Sequence, residues 1–204
     1  GGVIELDGSD AGGQLVRNAL ALSVIRDIPF RMDKVRGGRS SPGLKPQHVT
    51  AIEVVKELTD ADVEGLEEGS ETIEFHPQSF DPHDITVDIG TAGSISLLFQ
   101  SVMPLSYLAD EAFSVTVEGG TDVQWSPPTL YLEEVAVPVL ERFGADIDVA
   151  TGRHGFYPDG GGRARLDVEP SEPEEAFLEQ PGELRKLHGV SVASQHLRDS
   201  NVAE

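Results

Sequence analysis

The 204-residue chain has no cysteine, which excludes disulfides, zinc–thiolate sites and thiol nucleophiles. No apolar run approaches the roughly 20 residues that a bilayer span needs, and no secretory signal opens the chain, so a cytoplasmic protein without a membrane role is expected. Cationic charge is scarce: 15 Lys and Arg stand against 36 Asp and Glu, a net charge of −21. Phosphate contacts need cations, so this balance argues against nonspecific nucleic-acid binding by the surface as a whole. Lysine is confined to Lys34, Lys45, Lys56 and Lys186, and no Lys or Arg occurs between Glu57 and Glu141. An acidic, lysine-poor surface suits concentrated salt, where charges are screened over about 3 Å at 1 M, and a halophilic source is expected. In such a chain clustered cations stand out, and Arg17, Lys34, Arg36, Arg39 and Lys45 cluster in the first quarter. With 38% hydrophobic residues recurring in ordered runs, the composition is globular.

The apolar periodicity repeats itself. Residues 3–7 read as a strand, Gly8 to Gly13 as a turn, and Leu15, Ala19, Leu22 and Ile25 fall at helical spacing. Phe30, Met32 and Val35 alternate as in a strand; a Gly/Ser/Pro loop covers 36–46, a helix 47–59, and short strands lie near 61–64 and 71–75. The same order returns: a strand at 85–89, a turn at 90–93, an apolar helix over 94–109, a strand at 113–117, a loop at 118–127, a helix over 128–143, and strands near 145–150 and 163–168. This predicts an α/β (α+β) protein of tandem βαβαββ repeats, the first over 1–83 and the second over 84–170. Residues 171–204 open with an acidic, proline-containing linker and read as the start of a further unit. The chain begins on Gly rather than Met, and a portion of a longer protein is expected.

Several segments carry chemistry. Asp7–Gln14 joins a strand to a helix through glycines, a place where backbone N–H groups hold phosphate or simply make a tight turn. Asp10 there is either a helix cap or a Mg²⁺ ligand beside phosphate, and Arg17 lies one turn further on, facing the loop or solvent. In the 35–48 loop, Arg36 and Arg39 sit among glycines that admit a ligand to the backbone and suit bidentate phosphate contact; the plain alternative is a charged loop. Gln100 is an amide on an otherwise apolar helix, satisfied locally or aimed at a ligand. His76, Asp81, His83 and Asp84 suggest a metal site, but Pro77 and Pro82 favour a surface turn. His154 is a possible nucleophile or base without an identifiable partner.

Together these stretches resemble RNA 3′-terminal phosphate cyclases: LDG…GGQLVR (6–17), VRGGRSSPGLKPQH (35–48), GTAGSISLLFQ (90–100), GGTD…SPP (119–128) and RHGFYPDGGG (153–162), in the family's order and covering nearly all of residues 3–170. The resemblance implies repeated βαβαββ units like those of enolpyruvyl-transferases, with a smaller domain inserted before the last repeat. It implies ATP-dependent conversion of an RNA 3′-terminal phosphate to a 2′,3′-cyclic phosphate through an adenylylated histidine, with Mg²⁺ or Mn²⁺. By matching motif, Asp10 takes the metal-proximal acidic position, Arg17, Arg36 and Arg39 the phosphate-binding ones, and Gln47 is an active-site amide. Gln100 contacts ATP and Pro127 borders the nucleotide pocket. The first loop is shorter than the family's Gly-Glu-Gly-Gly form and carries Asp10 where Glu is expected. No histidine matches the nucleophile's motif, so the chain as given is expected to lack the full reaction. The rival readings are a catalytically inactive relative, acting as an RNA- or ribosome-assembly-binding scaffold, and an enolpyruvyl-transferase-like enzyme, which should need more Lys and Arg than this chain has.

Overall fold

The computed structural model describes residues 2–200. Strands β1 (Ile4–Asp7) and β2 (Phe30–Asp33) run parallel, with Ile4 opposite Phe30 and Asp7 opposite Asp33. A parallel pair needs a crossover, and α1 (Gly13–Arg26) supplies it, ending at Asp27 in the left-handed conformation. After a loop, α2 (Pro46–Thr59) leads to β3 (Asp62–Glu64) and β4 (Thr72–His76); β4 pairs antiparallel with both β2 and β3, giving the order β1-β2-β4-β3. Phe30 and Met32 of β2 and Ile73 and Phe75 of β4 turn inward at alternate positions, and the rings of Phe30 and Phe75 stack at 5.9 Å.

The second unit repeats the plan. β5 (Ile85–Asp88) pairs parallel with β6 (Phe113–Gly119) across α3 (Ile95–Val102), and β7 (Ile147–Arg153) and β8 (Gly162–Val168) follow in the order β5-β6-β8-β7. The fold is thus α/β, two mixed sheets of identical strand order, as the repeated pattern predicts. Two helices depart from the sequence reading of 94–109 and 128–143. The first changes to a 3₁₀ turn at Met103–Leu108, where Pro104 has no N–H to continue an α-helix. The second is α4 (Thr129–Tyr131), a π-helical stretch (Leu132–Ala136) and α5 (Val137–Glu141) in sequence. The widened turn falls just before Pro138, which cannot bond back to Glu134.

Each sheet is covered on one face by helices. Val16, Leu20, Ile52 and Val55 pack on the first sheet, and Leu98, Phe99 and Val102 on the second. Helix α2 belongs to both cores, because Val54 and Leu58 on its other side join the second. The two units therefore meet through their helices. Residues 171–194 form no helix or strand, and a 3₁₀ turn spans Gln195–Ser200. Among the described residues no helix is long and apolar enough to cross a membrane.

Candidate functional site

Helix-to-helix packing brings three helix N-termini to one place. Gly13 and Gln14 of α1, Pro46, Gln47 and His48 of α2, and Ser94, the N-cap of α3, all line a cavity of about 1010 Å³. None of the three helices has an acidic residue in its first turn. Their macrodipoles therefore favour an anion in the cavity, and no acidic residue in those first turns offsets them.

The side chains add to that field. Arg17, Arg36, Arg39 and Lys45 line the cavity and no Asp or Glu does. Among the described residues none of these four lies within ion-pair distance of a carboxylate, whereas Lys34 reaches Asp7 (3.5 Å), Arg31 reaches Asp33 (3.1 Å) and Arg165 reaches Asp167 (2.7 Å). Arg17 is buried; one guanidinium nitrogen donates to Gln14 Oε1 (2.8 Å), Nε has no partner, and desolvation lowers its pKa. Arg36, also buried, donates through Nη1 to the carbonyls of Ser41 and Gly43 (2.7 Å each), which closes the loop that carries it. Its pKa is lowered by burial and by Arg39. The Arg39 guanidinium lies over Gly12, where a Cβ would come within 2.5 Å of it.

His48 sits among these cations. Its Nδ1 accepts the Lys45 N–H (3.0 Å), so in the neutral ring the proton is on Nε2, which is buried, unpartnered and directed at Gly13. Burial, then Arg36, Arg17 and Lys45, push its pKa down to about 3. Gln47 joins the two units: its Oε1 accepts the Ser94 N–H (2.9 Å). The Ser94 hydroxyl accepts the Leu97 N–H and contacts Ser126 and Ser96, and Ser96 donates to the Pro127 carbonyl (2.6 Å), which ties the 121–128 loop to α3.

Of the residues predicted for the site, the cavity gathers Arg17, Arg36, Arg39 and Gln47, while Asp10, Gln100 and Pro127 are not on its lining. The Ser9–Asp10 turn packs on Gly37 and Gly38, and the Asp10 carboxylate makes no hydrogen bond among the described residues. Gln100 lies further along α3 than Leu97, the last residue of that helix on the lining. Pro127 lies behind Ser126. Asp10, the one carboxylate predicted to hold Mg²⁺ or Mn²⁺, lies off the cavity lining, and a single carboxylate suits such an ion only where phosphate oxygens supply further ligands. Among the described residues no group of three or more His, Asp or Glu side chains could hold a metal by itself. His76 engages Glu74 (2.7 Å) and His83 engages Glu57 (3.1 Å), so the 76–84 histidines do not converge. His154 Nδ1 meets Asp122 Oδ2 (2.8 Å), outside the cavity lining. Sequence reasoning missed His48, Ser94, Trp125 and Tyr157 as lining residues. The signal available for the first was its place one residue after Gln47 at a helix start, and for the last two an aromatic inside a glycine- and proline-rich loop.

The profile of the RNA 3′-terminal phosphate cyclase family matches residues 9–200. An RNA 3′-terminal phosphate cyclase of Halobacterium salinarum is 44% identical over 98% of this chain and 62% of its own length. Proteins of the same name from Pyrobaculum aerophilum and Ectopseudomonas mendocina are 42% and 39% identical over 93% and 94% of this chain and 56% of their own. The chain thus spans about 60% of the length of the curated relatives it matches.

Proposed function

The chain belongs to the RNA 3′-terminal phosphate cyclase family, and on that premise we propose that its cavity holds the 3′-terminal phosphate of an RNA during ATP-dependent conversion to a 2′,3′-cyclic phosphate. The supporting observation is electrostatic: four cations, three helix N-termini and no carboxylate line one cavity of a chain whose net charge is −21. An anionic phosphate is the ligand such a site suits.

In the proposed reaction a histidine attacks the α-phosphorus of ATP and releases pyrophosphate. AMP then passes to an oxygen of the RNA 3′-phosphate, and the neighbouring 2′-OH attacks that activated phosphorus, closing the ring and expelling AMP. Arg39, unpaired over Gly12, and Arg17 hold the terminal phosphate and meet the charge that develops on it. Arg36 contributes its remaining guanidinium edge and keeps the loop closed. Gln47 keeps the α3 N-terminus beside the phosphate. Asp10 would hold Mg²⁺ or Mn²⁺, which would neutralise phosphate charge. Gln100 and Pro127 serve the ATP side, and the setting is the cytoplasm of a salt-rich cell.

No histidine of this chain suits the nucleophilic role. His48 is buried with Nδ1 engaged, His76 and His83 are held by Glu74 and Glu57, and His154, His188 and His196 are not on the cavity. This reading therefore assigns the nucleophile to no residue of the chain. The test uses the complete protein with ATP labelled at the α-phosphate and a 3′-phosphorylated RNA. Covalent label and cyclic ends are expected, with cyclisation about a hundredfold slower in Arg39→Ala. Unchanged cyclisation in that variant contradicts the assignment. RNA binding without label or cyclic ends would make the protein a scaffold instead.

A further inference from the structure

The rim of the cavity carries aromatic side chains that phosphate binding leaves unexplained. Trp125 is 96% exposed and Tyr157 is 77% exposed, the two most exposed aromatic residues among those described, and both line the cavity that Arg17, Arg36 and Arg39 line. Trp125 also holds φ at +64°, a conformation uncommon for a bulky residue. Neither ring is displayed by a slack loop. The Asp122 and Thr121 N–H groups donate to the Gly155 carbonyl, Asp122 bridges Phe156, and Ser126 is bonded to Ser94 and Ser96. On the other loop the Gly160 N–H donates to the Phe156 carbonyl (2.7 Å), and Gly160 lies so close to Ala92 that a Cβ would come within 2.9 Å of it. Two loops bonded to each other thus hold two exposed rings at the mouth of one cationic cavity.

A fixed ring face beside cations is what a nucleotide recognises, because every base has a π-face while its phosphate needs positive charge. We propose that Trp125 and Tyr157 form a platform on which the base of the RNA's 3′-terminal nucleotide stacks while its phosphate reaches the arginines. This rests on the phosphate-site reading above and adds a subsite to it. The rings stand at the mouth rather than on the floor, which suits the end of a polymer whose remaining nucleotides must lead away into solvent. Stacking is sequence-tolerant, so the platform selects an RNA end by shape rather than by base identity.

Trp125 is the only tryptophan among the 204 residues, so its fluorescence reports the platform directly. The experiment titrates the protein with a short RNA carrying a 3′-phosphate, with the same RNA whose terminal nucleotide is abasic, with the 3′-hydroxyl form, and with ATP. The expected result is quenching by the base-bearing RNA, about tenfold weaker binding of the abasic form, and quenching by ATP that is absent or much weaker. Trp125→Ala and Tyr157→Ala should lower the affinity for the base-bearing RNA to that of the abasic one and leave abasic binding unchanged; Trp125→Phe should restore part of it. Equal binding of base-bearing and abasic RNA, or quenching by ATP alone, overturns the proposal while the phosphate site stands. Equal binding of 3′-phosphate and 3′-hydroxyl forms overturns the phosphate site instead, and base-dependent quenching would then still support the platform.

Discussion

At the scale of single residues, the cavity keeps its cations free of carboxylate partners and one histidine neutral. The pKa of His48 is about 3 when folded against an ordinary 6.5, so as pH falls the unfolded chain takes the proton first. Its contribution to stability is complete above about pH 6.5 and is lost progressively down to about pH 3. Between about pH 7 and 5 the loss should reach about 2 kcal/mol, read from denaturant midpoints. His83, whose pKa is raised by Glu57, acts with the opposite sign, so the comparison is with His48→Asn, which keeps an acceptor for Lys45 and should flatten the profile. A stronger acid dependence in that variant would contradict the assignment. Gly13→Ala tests the same contact sterically. A Cβ there would lie 2.4 Å from His48 Nε2 and 3.1 Å from an Arg17 nitrogen, so the ring and guanidinium must shift. Alanine favours the helix by about 1 kcal/mol, so a folded protein that binds 3′-phosphorylated RNA at least ~10-fold more weakly is expected. Arg17, Arg36 and Arg39 were legible as a group because cations are rare here and cluster near glycine-rich turns, whereas Gln47 came only with the family resemblance. His48 was not, because burial and tautomer depend on what the fold packs around the ring.

At the scale of elements, the repeat was legible because strand alternation and helical spacing survive in both units, and the two sheets share one strand order. The break after Val102 and the π-helical turn at Leu132–Ala136 were not, because apolar periodicity alone does not register one missing N–H at Pro104 or Pro138. Nor does periodicity show which helix ends meet. Gln47 makes that junction, tying the N-terminus of α2 to that of α3 through the Ser94 N–H. Gln47→Leu should destabilise the protein by about 1–3 kcal/mol by leaving that donor unpaired, measured by denaturant unfolding. Gln47→Glu retains an acceptor and should fold with near-normal stability, yet it puts a carboxylate into the cavity and should lower affinity for 3′-phosphorylated RNA at least ~10-fold. Unimpaired binding by the glutamate variant would mean that this junction does not face the ligand.

At the scale of the whole molecule, a net charge of −21 surrounds a cavity that no acidic residue lines. Self-repulsion of that surface should ease as salt screens it, so the thermal midpoint should rise from ~0.1 M to ~2 M KCl; a flat or falling midpoint would contradict this reading of the composition. If the cavity holds RNA as proposed, the same contrast would separate specific from general RNA binding, because an acidic exterior repels a polyanion everywhere except at the cation-lined opening. Affinity should therefore reside in the RNA's end group rather than in its length. The most direct measurement is equilibrium binding, at one fixed salt concentration, of a short RNA ending in a 3′-phosphate against the same RNA ending in a 3′-hydroxyl. The phosphate-ended RNA should bind at least ~10-fold more tightly, the scale of one charge-assisted contact, and Arg39→Ala should abolish the preference. Equal binding of the two ends would contradict the account at its centre.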